Sequence, residues 1–292
     1  MSVDLQNPDD TIDLFRQAAE VMRADPKREG SLIRLPAKGH LVISGDLHDH
    51  VVHLEKIRQL ADLGSSPDRH VLLQELIHGP TLTHGCDVSY RMLGKVAQDI
   101  LAYPGQVHVV LGNHELAQQT RSGVSKGGGN NVELFNDGLG MVFGDRWSDL
   151  AEAIDLFIQA LPLAIITETG LLCSHSLPAL NMMKRFDPEI LHRPIEKEDR
   201  HGPFGSAYLM VWGRMFSEEH LESLCEAWGV SHFCVGHAWV EMGIEPAWSR
   251  LVAINSDHER GAVIPWDLSR EPLVEELVSS ARYLQAIGSH VT

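Results

Sequence analysis

Side chains that bind metal ions recur in this sequence directly after short apolar segments. Three such sets stand after the segments 40–44, 70–74 and 107–111, namely Asp46 with His48, Glu75, and Asn113 with His114. Mixed carboxylate, amide and imidazole donors suit Mn, Fe or Zn, whereas structural zinc sites are often built from thiolates. At adjacent positions such as Asn113 and His114, one side chain can bind metal while the other meets a substrate. These residues are therefore candidates for one metal centre.

Two further histidines, His175 and His237, follow the apolar segments 171–174 and 232–235. The chain has 17 histidines, more than Phe and Tyr combined, and histidine is the commonest metal ligand. A single histidine after a strand is more often an ordinary polar residue, and Asn113 can alternatively cap a following helix. Five segment ends that each present a donor favour a shared metal site over five separate coincidences.

The elements that must position these donors alternate along the first half of the chain. Residues 40–44, 70–74 and 107–111 are short apolar runs typical of buried strands, and residues 51–63 and 88–102 have helical spacing. This alternation indicates a largely parallel sheet with helices on its faces. Ligands of such sheets bind beyond the carboxyl ends of the strands, so we expect the donors to converge there.

The second half of the chain has a different pattern. A second sheet is predicted from short apolar segments at residues 163–167, 171–174, 232–235, 251–255 and 262–266. Residues 148–160 predict a helix, the glycine-rich residues 123–131 a loop, and residues 186–204 a surface excursion.

Both ends of the chain are expected to be helical. Residues 9–24 predict a helix capped by Asp9 or Asp10, and residues 270–286 predict a helix that Ser269 caps and Gly288 ends. No linker composition divides the sequence, so we expect one domain over residues 1–292, with its motif-bearing core at about 40–266.

The composition argues against several classes of protein. A net charge of −16 opposes binding to long nucleic acids, which depends on Lys and Arg side chains that neutralise phosphates. It is compatible with a small phosphorylated substrate, because bound cations reverse the local field. No apolar run approaches the roughly 20 residues that span a bilayer. The acidic N-terminus lacks an apolar signal segment, and the four cysteines form no CxxC pair, so we expect no membrane partner and a cytoplasmic setting.

Five segments occur in a fixed order along the chain. They are Gly45-Asp46-Leu47-His48, Gln74-Glu75-Leu76-Ile77-His78-Gly79, Gly112-Asn113-His114-Glu115, Ser174-His175-Ser176, and the segment from Gly236-His237 to Gly243. Their order and residue types resemble the motifs of the calcineurin-like metallophosphoesterases and, within them, of the phosphoprotein phosphatase branch. The resemblance implies an α/β fold in which two mixed β-sheets pack face to face, with helices outside and metal ions at one edge.

The resemblance also implies a role for each matched residue. Asp46 and His48 would hold a first metal ion, Glu75 would bridge two ions, and Asn113, His175 and His237 would hold the second. His114 would be the general acid for the leaving group. Two divalent or trivalent ions, of Mn, Fe or Zn, would activate a hydroxide for in-line attack on a phosphoprotein or a small phosphoester.

Three residues depart from the pattern of this family. Glu75 stands where the family has Asp, and His78 replaces the acidic residue that supports the catalytic histidine. Gly79 replaces an arginine that binds phosphate bidentately, so its absence should weaken the binding of monoesters. Arg214 resembles a second phosphate contact, with an ordinary surface arginine as the alternative. His78 could replace a lost group, but a solvated loop residue is the favoured interpretation.

Three functions are compatible with this sequence. Hydrolysis of phosphate esters by a phosphoprotein-phosphatase-like enzyme is the favoured one. Cleavage of a dinucleoside polyphosphate or another phosphodiester would fit the missing arginine at Gly79. A catalytically degenerate protein that binds metal and phosphate would fit the departures at Glu75, His78 and Gly79.

Overall fold

The computed structural model describes residues 3–122 and 130–288 of the chain. Its α-helices are α1 (Pro8–Arg23), α2 (Val51–Ala61), α3 (Tyr90–Ala102), α4 (Asn113–Thr120), α5 (Asn131–Phe143), α6 (Trp147–Ala160), α7 (Ser206–Trp212), α8 (Glu218–Trp228) and α9 (Val274–Ser280). Its strands are β1 (Arg28–Glu29), β2 (Leu32–Leu35), β3 (His40–Asp46), β4 (Arg69–Gln74), β5 (Val107–Val110), β6 (Ala164–Thr167), β7 (Leu171–Ser174), β8 (His232–Val235), β9 (Ile244–Trp248), β10 (Leu251–Ile254), β11 (Ala262–Asp267) and β12 (Arg282–Tyr283).

The strands form two mixed sheets. One has the order β12-β11-β3-β4-β5, in which β3, β4 and β5 are parallel and β11 is antiparallel to β3. The other has the order β1-β2-β6-β7-β8-β10-β9, in which β7, β8 and β10 are mutually parallel neighbours. The predicted α/β fold of two mixed sheets with flanking helices is therefore confirmed.

An apolar core joins the two sheets. Leu41, Ile43 and Leu72 from one sheet cluster with Ile165 and Val252 from the other, and all five are buried. Strands that are covered on both faces need continuous apolar runs, which is why β3 is buried at every position after its first residue. Full burial of one Leu or Ile side chain stabilises the fold by about 1.5–3 kcal/mol. On the outside, α1 packs against α3 and α6.

Two predictions about the second half of the chain are wrong. Residues 262–266 do not join the second sheet, because β11 pairs with β3 in the first. The helix expected at 270–286 extends only over Val274–Ser280, and Leu273 rather than Ser269 precedes its first turn. Pro272 disfavours helical backbone at Glu271, and pairing of β12 with β11 draws the chain out of the helix after Ala281.

Other differences are smaller. Helix α1 begins one residue early, and Asn7 caps it in place of Asp9 or Asp10. Helix α5 was not predicted, and most of the predicted loop 123–131 lies outside the described residues. The excursion at 186–204 forms short 3-10 turns and buries Ile190, Leu191 and Arg200, so it is less superficial than predicted.

Over residues 3–122 and 130–288, no helix combines the length and the apolar character required to cross a membrane.

Candidate metal centre

The candidate ligands lie where the carboxyl ends of the two sheets meet. Asp46 ends β3, Glu75 directly follows β4, and Asn113 begins α4 shortly after β5. From the other sheet, His175 directly follows β7 and His237 comes two residues after β8. A parallel bridge between Asp46 and Asn255 joins the two edges at this point. All six residues predicted to bind metal are buried side by side.

Four of the donors surround one point. His175 Nε2 lies 2.8 Å from Asn113 Oδ1, 3.1 Å from His237 Nδ1 and 3.5 Å from Glu75 Oε1. The amide oxygen of Asn113 and the carboxylate oxygen of Glu75 can only accept hydrogen bonds. At most one of the two facing imidazole nitrogens can carry a hydrogen when it points at the other. This convergence of lone pairs is what a metal cation requires.

A second group of donors uses the other oxygen of the same carboxylate. His48 Nε2 lies 3.3 Å from Glu75 Oε2, and His48 Nδ1 lies 3.0 Å from the backbone oxygen of Ile77. Since a carbonyl only accepts, Nδ1 carries the hydrogen and Nε2 keeps its lone pair. The His114 ring lies 4.9 Å from the His48 ring, measured between centroids. Ligand atoms of His48, Glu75 and His114 all lie within 4.8 Å of one another, as do those of Asp46, Glu75 and His175.

The tautomer of His175 is fixed by Gln74, a residue that the sequence analysis missed. Gln74 Nε2 donates to the backbone oxygen of Ser44 at 2.7 Å, which leaves Oε1 to accept from His175 Nδ1 at 3.1 Å. In the neutral ring, Nε2 of His175 therefore faces the other donors with its lone pair. A polar amide at the end of the mostly apolar segment 70–74, directly before Glu75, was the available signal.

The two buried carboxylates respond differently to their surroundings. Burial and the neighbouring Glu75 raise the pKa of Asp46. Burial also disfavours charge on Glu75, but the imidazoles of His175, His48 and His114 hold its pKa well below the usual range. Burial opposes protonation of His175, and the carboxylates of Glu75 and Asp46 outweigh it and raise the pKa of that imidazole. The site therefore carries excess negative charge that needs positive charge beside it, which bound cations supply.

His237 fits the same requirement. Burial and the adjacent His175 lower its pKa to about 2, so its imidazole stays neutral as a metal ligand must. Its backbone N–H donates to both oxygens of Asp46 at 3.1 Å. Gly236 precedes it because a Cβ there would clash with the carboxylate of Asp46. The donors are oxygen and neutral nitrogen in a buried pocket, and they fit Mn, Fe or Zn ions.

Strained backbone marks the same region. Among the described residues, eight that are not glycine have a positive φ, and four of them are His48 at 41°, Glu75 at 46°, His78 at 62° and His237 at 62°. Left-handed backbone is unfavourable for side chains of this size, and it clusters where function fixes the geometry.

A buried pair adjoins His114. His78 Nδ1 lies 2.9 Å from Asp87 Oδ2, and the His78 ring lies 5.4 Å from the His114 ring between centroids. His78 is 5% exposed, so its interpretation as a solvated residue is wrong. Asp87 was not predicted to contribute, because its partner lies nine residues away and no local pattern connects them.

An open cavity of about 190 Å³ adjoins the candidate ligands, and Arg214 lines it together with His114. Asn255 and Asp257 also line it, and sequence reasoning missed both although they follow strand β10. Gly79 cannot be replaced by a larger residue without movement, since a Cβ would lie 2.6 Å from Asp49 Cβ and 2.7 Å from the His48 backbone oxygen.

Comparisons with known proteins agree with this geometry. Residues 39–240 match the family model of the calcineurin-like phosphoesterases. A protein serine/threonine phosphatase from Saccharomyces cerevisiae with similarity to human phosphatase PP5 has a TM-score of 0.65 at 13% identity, over 89% of this chain and 82% of that one. A cold-active protein-tyrosine phosphatase from a psychrophilic Shewanella species has a TM-score of 0.60 at 15% identity, over 91% of this chain and 82% of that one. No curated protein sequence matches the chain significantly.

Identities this low show a shared fold alone, whereas the family match spans more than half of the chain. The chain therefore belongs to the calcineurin-like phosphoesterase family and is a hydrolase of phosphoric esters.

Proposed function

We propose that this protein hydrolyses phosphate esters with two metal ions, in the manner of phosphoprotein phosphatases. The observation that carries the proposal is the position of Glu75. Its Oε2 faces His48 and its Oε1 faces His175, so one carboxylate belongs to both groups of donors. A carboxylate shared in this way is what a pair of closely spaced cations requires.

Asp46, His48 and Glu75 would hold one ion, and Glu75, Asn113, His175 and His237 would hold the other. When bound, such a pair polarises the phosphoryl group and supplies an activated water near neutral pH. The distances from His175 Nε2 support its grouping with Asn113 and His237. Asp46 contacts Nδ1 of His175, which carries a hydrogen because it donates to Gln74, and not Nε2, which would bind the ion. We therefore assign Asp46 to the same ion as His48.

Two residues of this chain would handle the substrate. His114 would donate a proton to the leaving oxygen, a role that typically contributes about 10²–10⁴-fold to the rate. The Asp87–His78 pair would hold the His114 ring in position, in the place of a single carboxylate. Arg214 lines the same cavity as His114 and would bind the phosphoryl oxygens.

The favoured substrates are phosphate monoesters such as phosphoproteins. The two structural neighbours named above are a serine/threonine and a tyrosine phosphatase, and their likeness supports this choice. Phosphodiesters are a second candidate, favoured by Gly79. Of the described residues that line the cavity, Arg214 provides the only guanidinium, and a diester carries less charge than a monoester dianion.

The test uses purified protein loaded with Mn²⁺ and two aryl substrates, p-nitrophenyl phosphate and bis-p-nitrophenyl phosphate. We expect about two metal ions per chain and faster turnover of the monoester. His114→Asn should lower kcat at least 100-fold while both ions stay bound. Faster turnover of the diester would support the second candidate. The proposed function would be refuted if the Mn²⁺-loaded protein hydrolysed neither aryl ester and no member of a phosphopeptide panel.

A further inference from the structure

A large, open cavity lies away from the candidate metal centre. It measures about 760 Å³ and shares no lining residue with the cavity beside His114. It opens between the C-terminal ends of α1, α4 and α6, strand β1 and residues 194–201. Its volume is in the range of about 300–1,000 Å³ that is typical of small-molecule sites.

Positive charge dominates its lining. Arg23, Arg28, Lys197 and Arg200 line it, against a single carboxylate among the described lining residues, that of Asp155. Asp155 is already paired, since Arg121 Nη2 lies 2.8 Å from its Oδ2. A cavity of excess positive charge is unexpected in a chain with a net charge of −16. The cavity is therefore a local feature that composition does not explain.

Two of these guanidinium groups are costly to keep there. Arg200 is 8% exposed, and burial lowers its pKa to about 10. Burial and repulsion by Arg23 also lower the pKa of Arg28. Neither Arg28 nor Arg200 forms an ion pair with a carboxylate in the described part of the chain. Asp199 near Arg200 and Asp25 near Arg28 offset this only in part. A largely buried cation that no carboxylate pairs directly is unfavourable, so its presence calls for an explanation.

Asp199 is the carboxylate that offsets the charge of Arg200, but its oxygens are engaged elsewhere. Arg193 contacts its two carboxylate oxygens at 2.6 and 2.8 Å, and the backbone N–H of Glu196 donates to one of them. Arg193 and Arg200, which lie in one segment, thus differ in the charge of their hydrogen-bond acceptors. Arg193 sits between Asp187 and Asp199, whereas Arg200 donates only to neutral oxygens, Gln119 Oε1 at 2.9 Å and Gln159 O at 3.2 Å.

Helix capping explains part of this arrangement. Arg23 donates to Leu156 O, Arg28 to Ala160 O and Arg200 to Gln159 O, so three cations meet the C-terminal end of α6. Cations near a helix C-terminus stabilise it by about 0.3–1 kcal/mol each. One cation suffices for that purpose, and crowding three of them introduces repulsion. No acceptor among the described residues contacts Nη2 of Arg28, which remains available to a ligand.

We propose that this cavity is a second binding site, specific for a small anion that carries at least two phosphoryl groups. Guanidinium groups bind phosphoryl oxygens bidentately, and four separate cations exceed what one phosphate can neutralise. Ile195 and Pro194 are the only apolar side chains among the described lining residues, and His201 is the only aromatic ring among them. The phosphoryl groups rather than an aromatic moiety would therefore provide most of the recognition.

Binding can be measured by calorimetry with methylenediphosphonate, which has two phosphoryl-type groups and no hydrolysable P–O–P bond. We expect saturable binding to the metal-loaded protein, at least tenfold tighter than binding of inorganic phosphate. The double variant Arg23→Gln/Lys197→Gln should weaken it at least tenfold. Both side chains are exposed, so the fold should be unaffected. The matched control Arg16→Gln/Lys184→Gln removes two exposed charges outside the cavity and should change the affinity less than twofold.

The metal centre also attracts phosphonates, and Asp46→Asn separates the two sites. We expect binding at the cavity to persist in Asp46→Asn. Loss of binding in Asp46→Asn, or equal affinities in the cavity and control variants, would overturn the proposal, as would inorganic phosphate binding equally well. Ester hydrolysis is measured separately in the same variants, so failure at this cavity leaves the proposed function standing.

Discussion

Replacement of Glu75 by Gln changes the one side chain that both groups of candidate ligands share. The carboxylate offers one oxygen to the side of His48, 3.3 Å from its Nε2, and the other to the side of His175, 3.5 Å from its Nε2. An amide of the same shape keeps one oxygen and presents an N–H₂ group on the other side. That group has no lone pair for a metal ion, and the shared negative charge is lost.

The size of the effect follows from that geometry. Loss of a partner outside the ligand shell typically weakens metal binding about 10–100-fold, so loss of a directly facing oxygen should cost at least about 100-fold. That corresponds to about 2.8 kcal/mol, since each tenfold change is about 1.4 kcal/mol. Because the amide must turn its N–H₂ group towards one side, one ion loses a ligand and both lose charge. At a free metal concentration ten times the native Kd, occupancy should fall from about 90% to about 10%.

Equilibrium dialysis against Mn²⁺, followed by elemental analysis, measures the occupancy directly. Glu241→Gln makes the same chemical change at an exposed side chain paired with Arg260, and it should retain full loading and full rate. Circular dichroism checks that both variants are folded. If Glu75→Gln binds both ions with native affinity and turns over substrate at the native rate, the bridging role is wrong. A faster rate in Glu75→Asp would show that the longer arm is a handicap.

Four further predictions concern the surroundings of the site and the fold. Gln74→Leu removes the acceptor that orients the His175 ring, so dialysis should show about 10–100-fold weaker metal binding. Asp87→Asn should lower kcat about tenfold and leave KM within twofold, because only the position of His114, the proposed general acid, changes; a rise in KM as large as the fall in kcat would indicate a structural role. Gly79→Ala places a Cβ 2.7 Å from a backbone oxygen and should lower the free energy of unfolding in urea by about 1–3 kcal/mol. Burial lowers the pKa of His70 to about 4, so the folded state favours its neutral form. The associated stability is complete above the unfolded pKa of about 6.5 and is lost as the pH falls towards 4. His70→Gln should reduce this acid sensitivity by roughly 1–3 kcal/mol, and urea unfolding at pH 7 and pH 4.5 measures it.

The convergence of the candidate ligands could be predicted, because each donor and the strand before it are neighbours in the sequence. Each donor directly follows a short apolar segment, and the carboxyl ends of parallel strands meet at one edge. Asp46, Glu75 and Asn113 therefore had to converge once β3, β4 and β5 were recognised as parallel neighbours. Their meeting with His175 and His237 depended on two sheets packing face to face, which the motif order implied and periodicity did not.

The hydrogen-bond partners of the candidate ligands could not be predicted, because they are fixed by contacts between distant segments. Gln74 meets His175 across 101 positions of sequence, and Asp87 meets His78 only because the chain folds back between β4 and α3. The same reason explains the errors in the fold. Strand β11 has the composition of its neighbours in sequence, and only its pairing with β3 assigns it to the other sheet.

The departures at Glu75, His78 and Gly79 are parts of one local rearrangement rather than three separate losses. The backbone oxygen of Glu75 accepts from Leu47 N and His48 N at 3.0 and 2.8 Å, so the segments 47–49 and 75–79 lie against each other. This approach leaves no room for a side chain at Gly79. A decaying site would lose donors independently and leave the remainder unpaired. Here each predicted ligand is buried among the others, and His78 is paired with the carboxylate of Asp87. The coordinated pattern favours a rebuilt catalytic centre over a degenerate one.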